Sequence, residues 1–175
     1  MKLTIVEYPD KRLKEKSKLV EKFDEELHIL LDAMNEVMIK SNGIGLAAVQ
    51  VGHHKQVLIL NIPDENDTQP IDNLIEMINP NIIKTNGETT YQEGCLSVPS
   101  FYEEINRYEK IVVSYQDRYA NIKTIEADGL LSIAIQHEID HLKGILFIDK
   151  LSYSRRKKFE KEYKRVQKEK KISKE

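Results

Sequence analysis

Residues 129–144 read GLLSIAIQHEIDHLKG. At helical spacing, Leu130, Ile133, Ala134, His137 and His141 share one face, and Leu131, Ile135, Ile139 and Leu142 supply apolar contact on the others. A helix that is apolar nearly all round is a buried helix. The stretch therefore predicts a central helix from about Gly129 to Lys143, with Gly144 a natural left-handed residue just past its end. The remaining elements must wrap around it.

Working outward, residues 121–126 (NIKTIE) and 110–116 (KIVVSYQ) read as strands joined by a short polar turn. Further strand-like runs lie at 57–62 (VLILNI), 74–78 (LIEMI) and 81–85 (NIIKT), with a polar loop, PDENDTQP, at 63–70. Leu27, Leu30, Leu31, Met34, Val37 and Met38 recur with a helical period. They predict an amphipathic helix from about Asp24, a plausible N-cap, to Lys40, ended by SNG at 41–43. A third helix is expected over roughly 154–170. The fold class read from this pattern is α+β: antiparallel strands around one central helix, with helices at both ends.

The central helix also carries chemistry. Its H-E-x-x-H pattern puts His137 and His141 about 40° apart around the axis and about 6 Å apart along it, on one face. There they can share a metal ion while Glu138 reaches a water beside it. A lone histidine on an apolar face reads as a satisfied core residue. Two of them with a glutamate need partners for every buried polar atom, and a metal supplies that compensation. Asp140 stands on the same helix as a supporting or surface residue. The third ligand is open. One metalloprotease pattern requires a histidine where this chain has Phe147, and another requires a downstream glutamate, for which Glu160 and Glu162 sit in a highly charged stretch. Upstream, EGCLSVP at 93–99 holds the one cysteine of the chain, Cys95, among residues that punctuate a loop or strand end. A thiolate with two imidazoles leaves a coordination position open, the arrangement of a catalytic site. GIGLAAVQ at 43–50 places Gly43 and Gly45 for close backbone approach and offers the Gln50 amide as a donor, although a small-residue packing turn explains the same segment.

GIGLAAVQ, EGCLS and QHEIDH, in this order, resemble the motifs of the peptide deformylase family. The resemblance extends through YPDKRL, EADGLL and HLKGILFIDKLS. Many bacterial members carry an arginine close after the proline of EGCLSVP; here PSFYEEINRY has Tyr102 near that position. The resemblance implies a metallohydrolase that removes the N-formyl group from the starting methionine of nascent polypeptides and releases formate. It implies Cys95, His137 and His141 as metal ligands, with a metal-activated water as nucleophile. Glu138 would be general base and then acid, Gln50 and the Leu96 N–H would stabilise the oxyanion, and Gly45 would contact substrate through its backbone. Ile44, Tyr91, Leu130 and Ile133 are the expected methionine pocket; plain core is the competing reading for them. Ferrous iron is the expected cofactor, with Zn2+, Ni2+ or Co2+ possible in purified protein. The competing activity is a zinc endopeptidase.

Composition sets outer bounds. At 175 residues, 40% hydrophobic and 32% charged, the chain suits one domain of ordinary globular composition. We divide it into a catalytic body, 1–153, and a basic C-terminal helix of the same domain, 154–175. A single cysteine excludes an internal disulfide framework, and no run is long enough for a membrane helix or a signal-peptide core, so a cytoplasmic setting is expected. Ser154 to Glu175 carries 11 Lys and Arg against 4 Glu, a net of +7 within a chain whose formal net charge is −2. That basic segment suggests contact with ribosomal RNA, or simply a solvated helix. DNA and membrane are not expected partners. His53 and His54 are expected to be exposed turn residues.

Overall fold

The computed structural model describes residues 1–174. Three α-helices, α1 (Glu25–Lys40), α2 (Gly129–Leu142) and α3 (Tyr153–Ser173), accompany five strands, β1 (Gly45–Ala47), β2 (Val57–Leu60), β3 (Ile75–Cys95), β4 (Val98–Gln116) and β5 (Ile122–Ala127). The strands form one antiparallel sheet in the order β1-β2-β3-β4-β5. The α+β reading holds, with helix α2 at the centre.

Strand alternation explains how the sheet is clothed. In β2, Leu58 and Leu60 pack toward α2 with Ala134, Ile135, Ile139 and Leu142. Val57 and Ile59 point the other way, onto Leu27, Leu30, Leu31, Met34 and Met38 of α1. VLIL is buried on both faces, which is why it reads as an unbroken apolar run rather than an alternating one. A third cluster joins Val6, Leu13, Val98, Ile105, Phe147 and Phe159, and so attaches α3 and the N-terminal segment to the end of the β3–β4 hairpin.

Asp24 caps α1, its Oδ1 accepting from the Leu27 N–H at 3.2 Å. Gly144 ends α2 with φ +76° and meets a second constraint: a Cβ there would lie 2.3 Å from the Lys14 carbonyl oxygen.

Several expected boundaries differ. The runs at 74–78 and 81–85 belong to one strand, β3, whose register shifts between Ile78 and Asn81 and again between Ile82 and Lys84. Asn79, at φ +52° and followed by Pro80, supplies the bulge that looks like a break in sequence. The segment 110–116 is only the last third of β4. The segment 43–50, for which a small-residue packing turn is one reading from sequence, forms a short strand and then a 3-10 turn (Ala48–Val51). The third helix starts one residue earlier and runs further than 154–170. His53 and His54 are half-buried; His54 Nε2 lies 3.1 Å from Glu15 Oε2.

Candidate active site

Three elements deliver the donor atoms. Cys95 is the last residue of β3, and His137 and His141 are successive turns of α2. The two Nε2 atoms are 3.2 Å apart, Cys95 Sγ is 3.4 Å from His141 Nε2, and all three donor atoms lie within 4.8 Å of one another. Two imidazole nitrogens facing each other at that distance repel unless a proton or cation lies between them. An ion holding nitrogen at about 2.0 Å and sulfur at about 2.3 Å in tetrahedral geometry needs N···N of about 3.3 Å and S···N of about 3.5 Å. The observed spacings fit a Cys-His-His metal centre.

The supporting residues fix the ligands. His137 Nδ1 donates to Glu93 Oε1 at 2.9 Å, which turns its Nε2 toward the cluster. Arg107 grips the same carboxylate in a fork, Nε to Oε2 at 2.6 Å and Nη2 to Oε1 at 2.8 Å, and its Nη1 donates to Asp140 Oδ2 at 2.6 Å. Burial pushes the Glu93 carboxyl up, but the hydrogen bonds and charges of Arg107 and His137 outweigh it and bring it down to about 2. Glu93 is therefore a fixed anion. Burial lowers His141 well below the ordinary histidine range, so its ring is neutral and able to ligate.

Glu138 is 5% exposed and its Oε1 has no hydrogen-bond partner among the described residues. Burial raises its carboxyl to about 7, the range in which a general base works best at neutral pH. Its other oxygen lies against β1: a Cβ on Gly45 would stand 2.6 Å from Glu138 Oε2. Glycine at 45 is thus required by the carboxylate that passes beside it.

Gln50 sits in the 3-10 turn after β1. The Ala47 N–H donates to its Oε1 at 2.9 Å, which leaves its Nε2 to face Ser97 Oγ at 3.1 Å and Cys95 Sγ at 3.5 Å. The N-terminal segment holds both sides of this arrangement, Val6 N–H donating to Gln50 O and Tyr8 N–H to Ser97 O, each at 2.7 Å. Leu96 heads the two-residue turn between β3 and β4.

A cavity of about 470 Å³ opens onto these groups. Ile44, Gly45, Gln50, Tyr91, Cys95, Leu96, Leu130, Ile133, His137 and Glu138 all line it; His141 lies behind, fully buried. The structure brings together every site residue named from sequence. It adds Glu93, Arg107 and Ser97, which sequence reasoning missed. Glu93 stood two residues before the cysteine in a quoted motif; nothing local marked Arg107. Asp140 faces inward as part of the same network. Glu160 and Glu162, the glutamates an endopeptidase would need, lie on α3 and pair with Arg156 and Arg165.

The chain is similar to known proteins along most of its length. The family model described as polypeptide deformylase matches residues 2–157. The peptide deformylase of Helicobacter pylori strain HPAG1 is 55% identical over 169 residues, 97% of each chain. A crystal structure of a peptide deformylase from Legionella pneumophila superposes with a TM-score of 0.85 at 37% identity, covering 95% of this chain and 98% of that one. The Ehrlichia chaffeensis peptide deformylase, crystallised in complex with actinonin, gives 0.85 at 40% identity over 94% and 97%.

Proposed function

The chain belongs to the polypeptide deformylase family, and from that premise we propose how its residues divide the work. The enzyme is a hydrolase that removes the N-formyl group from the N-terminal methionine of newly made polypeptides and releases formate. Cys95, His137 and His141 hold the metal ion. A divalent ion there supplies Lewis acidity, which makes water a usable nucleophile at neutral pH. Glu138, with one unpartnered oxygen and a carboxyl raised to about 7, accepts the proton of the attacking water. It returns that proton to the leaving nitrogen, which departs as a free amine. The Gln50 amide, locked oxygen-inward by the Ala47 N–H, turns its NH2 toward the developing oxyanion, and the Leu96 N–H is the second donor. Donors already in place cost no reorganisation as charge develops. Gly45 presents its backbone to the substrate, and Ile44, Tyr91, Leu130 and Ile133 surround the methionine side chain.

The observation that carries this assignment is the convergence of one thiol and two ring nitrogens beside a buried glutamate with a free oxygen. The test is formate release from a formyl-Met peptide by wild type and Glu138→Ala. Loss of turnover with metal content unchanged is expected; loss of the metal instead would remove Glu138 from its role.

We further assign ferrous iron as the native ion, because a thiolate with two imidazoles suits iron as well as zinc and the family resemblance points to iron. Anaerobic purification, metal analysis and reconstitution decide it: full activity with zinc and none with iron overturns the assignment. We place the enzyme in the cytoplasm, where nascent formylated chains are made. Among the described residues, no helix is long and apolar enough to cross a membrane. The basic face of α3 is the proposed contact with ribosomal RNA. Binding that ignores salt concentration, or survives deletion of 154–175, would refute it.

A further inference from the structure

A second groove, of about 360 Å³, runs from the rim of the active-site cavity to α3. Ser100, Phe101 and Tyr102 line both, so the two spaces share one wall. That wall has a special backbone: Ser100 adopts φ +71° at the second step of β4. Tyr102 stacks on Gly94, where an added Cβ would come within 2.5 Å of its ring, yet the tyrosine as a whole remains 63% exposed. An exposed aromatic ring thus sits one residue from the ligand Cys95, between cavity and groove.

The groove has an apolar floor and a charged rim. Phe101 packs edge-on against Phe159 with centroids 5.1 Å apart, and Val166 extends the apolar surface along α3. Among the rim charges, Glu103 pairs with Arg155 at 3.0 Å and Glu162 pairs with Arg165. Lys158 is exposed and forms no ion pair among the described residues, with Glu162 one turn along α3 within its electrostatic reach. Lys158 and Val166 both lie on α3.

We propose that this groove is a downstream subsite for the same formylated chain, taking an apolar side chain over Phe101, Tyr102 and Val166 and an acidic side chain at Lys158. The proposal rests on the deformylase reading of the main cavity. Continuity fixes the occupant: the groove shares Ser100, Phe101 and Tyr102 with the cavity, so a peptide leaving the cavity past Tyr102 meets the groove next. An extended chain advances about 3.3 Å per residue, so residues well downstream of the formyl-methionine meet the wall and then Lys158. Peptides of two or three residues do not occupy the groove.

The experiment compares kcat/KM for a formyl-Met tripeptide with that for formyl-Met octapeptides carrying leucine at position four or five and either glutamate or lysine at position six. Wild type is expected to prefer the glutamate octapeptide over the lysine one by about two- to fivefold, the range of an exposed ion pair, through KM. Lys158→Glu should reverse that preference, Val166→Asp should weaken the leucine peptides relative to alanine ones, and both should leave the tripeptide rate unchanged. Failure of wild type to release formate from any of the peptides would refute the deformylase reading instead. Normal tripeptide turnover with an octapeptide charge preference that is absent, or unaltered by Lys158→Glu, overturns the subsite.

Discussion

Gly45→Ala isolates the link between backbone and catalytic carboxylate. The added Cβ would lie 2.6 Å from Glu138 Oε2, 3.1 Å from Cδ and 3.2 Å from Cγ. Ordinary contact begins at 3.4 Å, so the carboxylate must withdraw by about 0.8 Å, the difference between 3.4 and 2.6. The substitution carries no backbone penalty, because residue 45 does not have a positive φ. Displacement of a reacting group by about 1 Å costs on the order of 10²-fold in rate. The expected result is a kcat for formate release lowered about 10- to 100-fold, with metal stoichiometry unchanged, since Cys95, His137 and His141 are untouched. A double-mutant cycle separates this from lost substrate contact: in a Glu138→Ala background the same substitution should change the residual rate by less than about twofold. A wild-type kcat with a raised KM in Gly45→Ala would refute the reasoning and leave residue 45 as a substrate contact alone.

Glu93→Gln keeps the shape of the acceptor but removes the charge facing His137 Nδ1; metal affinity in a chelator competition should fall about 10- to 100-fold. Arg107→Met leaves Glu93 and Asp140 buried without their shared cation, so the urea midpoint should drop by an amount equivalent to about 3–5 kcal/mol. Asp149 joins three segments, accepting from Lys14, from the Leu146 N–H at 2.9 Å and from Arg156 at 2.7 Å. Burial raises its carboxyl, but these donors outweigh it and hold it below the ordinary range. A depressed folded-state pKa contributes stability above the unfolded value near 3.9, and that stability is lost as pH falls through the folded one. Thermal melts should therefore show Asp149→Asn less stable by about 1–2 kcal/mol at pH 7, with the gap closing below about pH 4; a gap that does not change with pH would refute the assignment.

What the sequence disclosed follows from the range of each interaction. Helix periods and caps are local, so α1 with Asp24 and α2 with Gly144 were legible. The i, i+4 histidines were legible because the helix itself makes them neighbours. Much of the β3–β4 hairpin was not. NGETTYQEG lies mostly exposed, and in FYEEINRY burial alternates but two of the inward positions are Glu103 and Arg107, so no apolar alternation marks the strand. Pro80 and Asn79 mark a bulge within a strand, and in sequence a bulge looks like an end. Glu93, Arg107 and Asp140 meet across separations of 14 and 33 residues, and no local rule connects an arginine in a polar strand to a carboxylate on a distant helix.

That hidden trio bears on why the site can work at all. The proposed ligands come from two elements with no covalent continuity near the site: Cys95 at a strand end and the histidines on α2. Apolar packing seats a helix on a sheet but tolerates small slides, because dispersion contacts are individually weak and non-directional. Arg107 removes that freedom. It extends from β4, fork-bonds Glu93 on β3 two residues before Cys95, and reaches Asp140 one residue before His141. Glu93 in turn orients His137. One guanidinium thus ties the strand that carries the sulfur to the helix that carries the nitrogens, through planar directional bonds at 2.6 to 2.8 Å. The carboxylate of Glu138, the proposed base, belongs to the same helix but to none of these bonds, so the brace fixes Cys95, His137 and His141 while leaving Glu138 Oε1 without a hydrogen-bond partner.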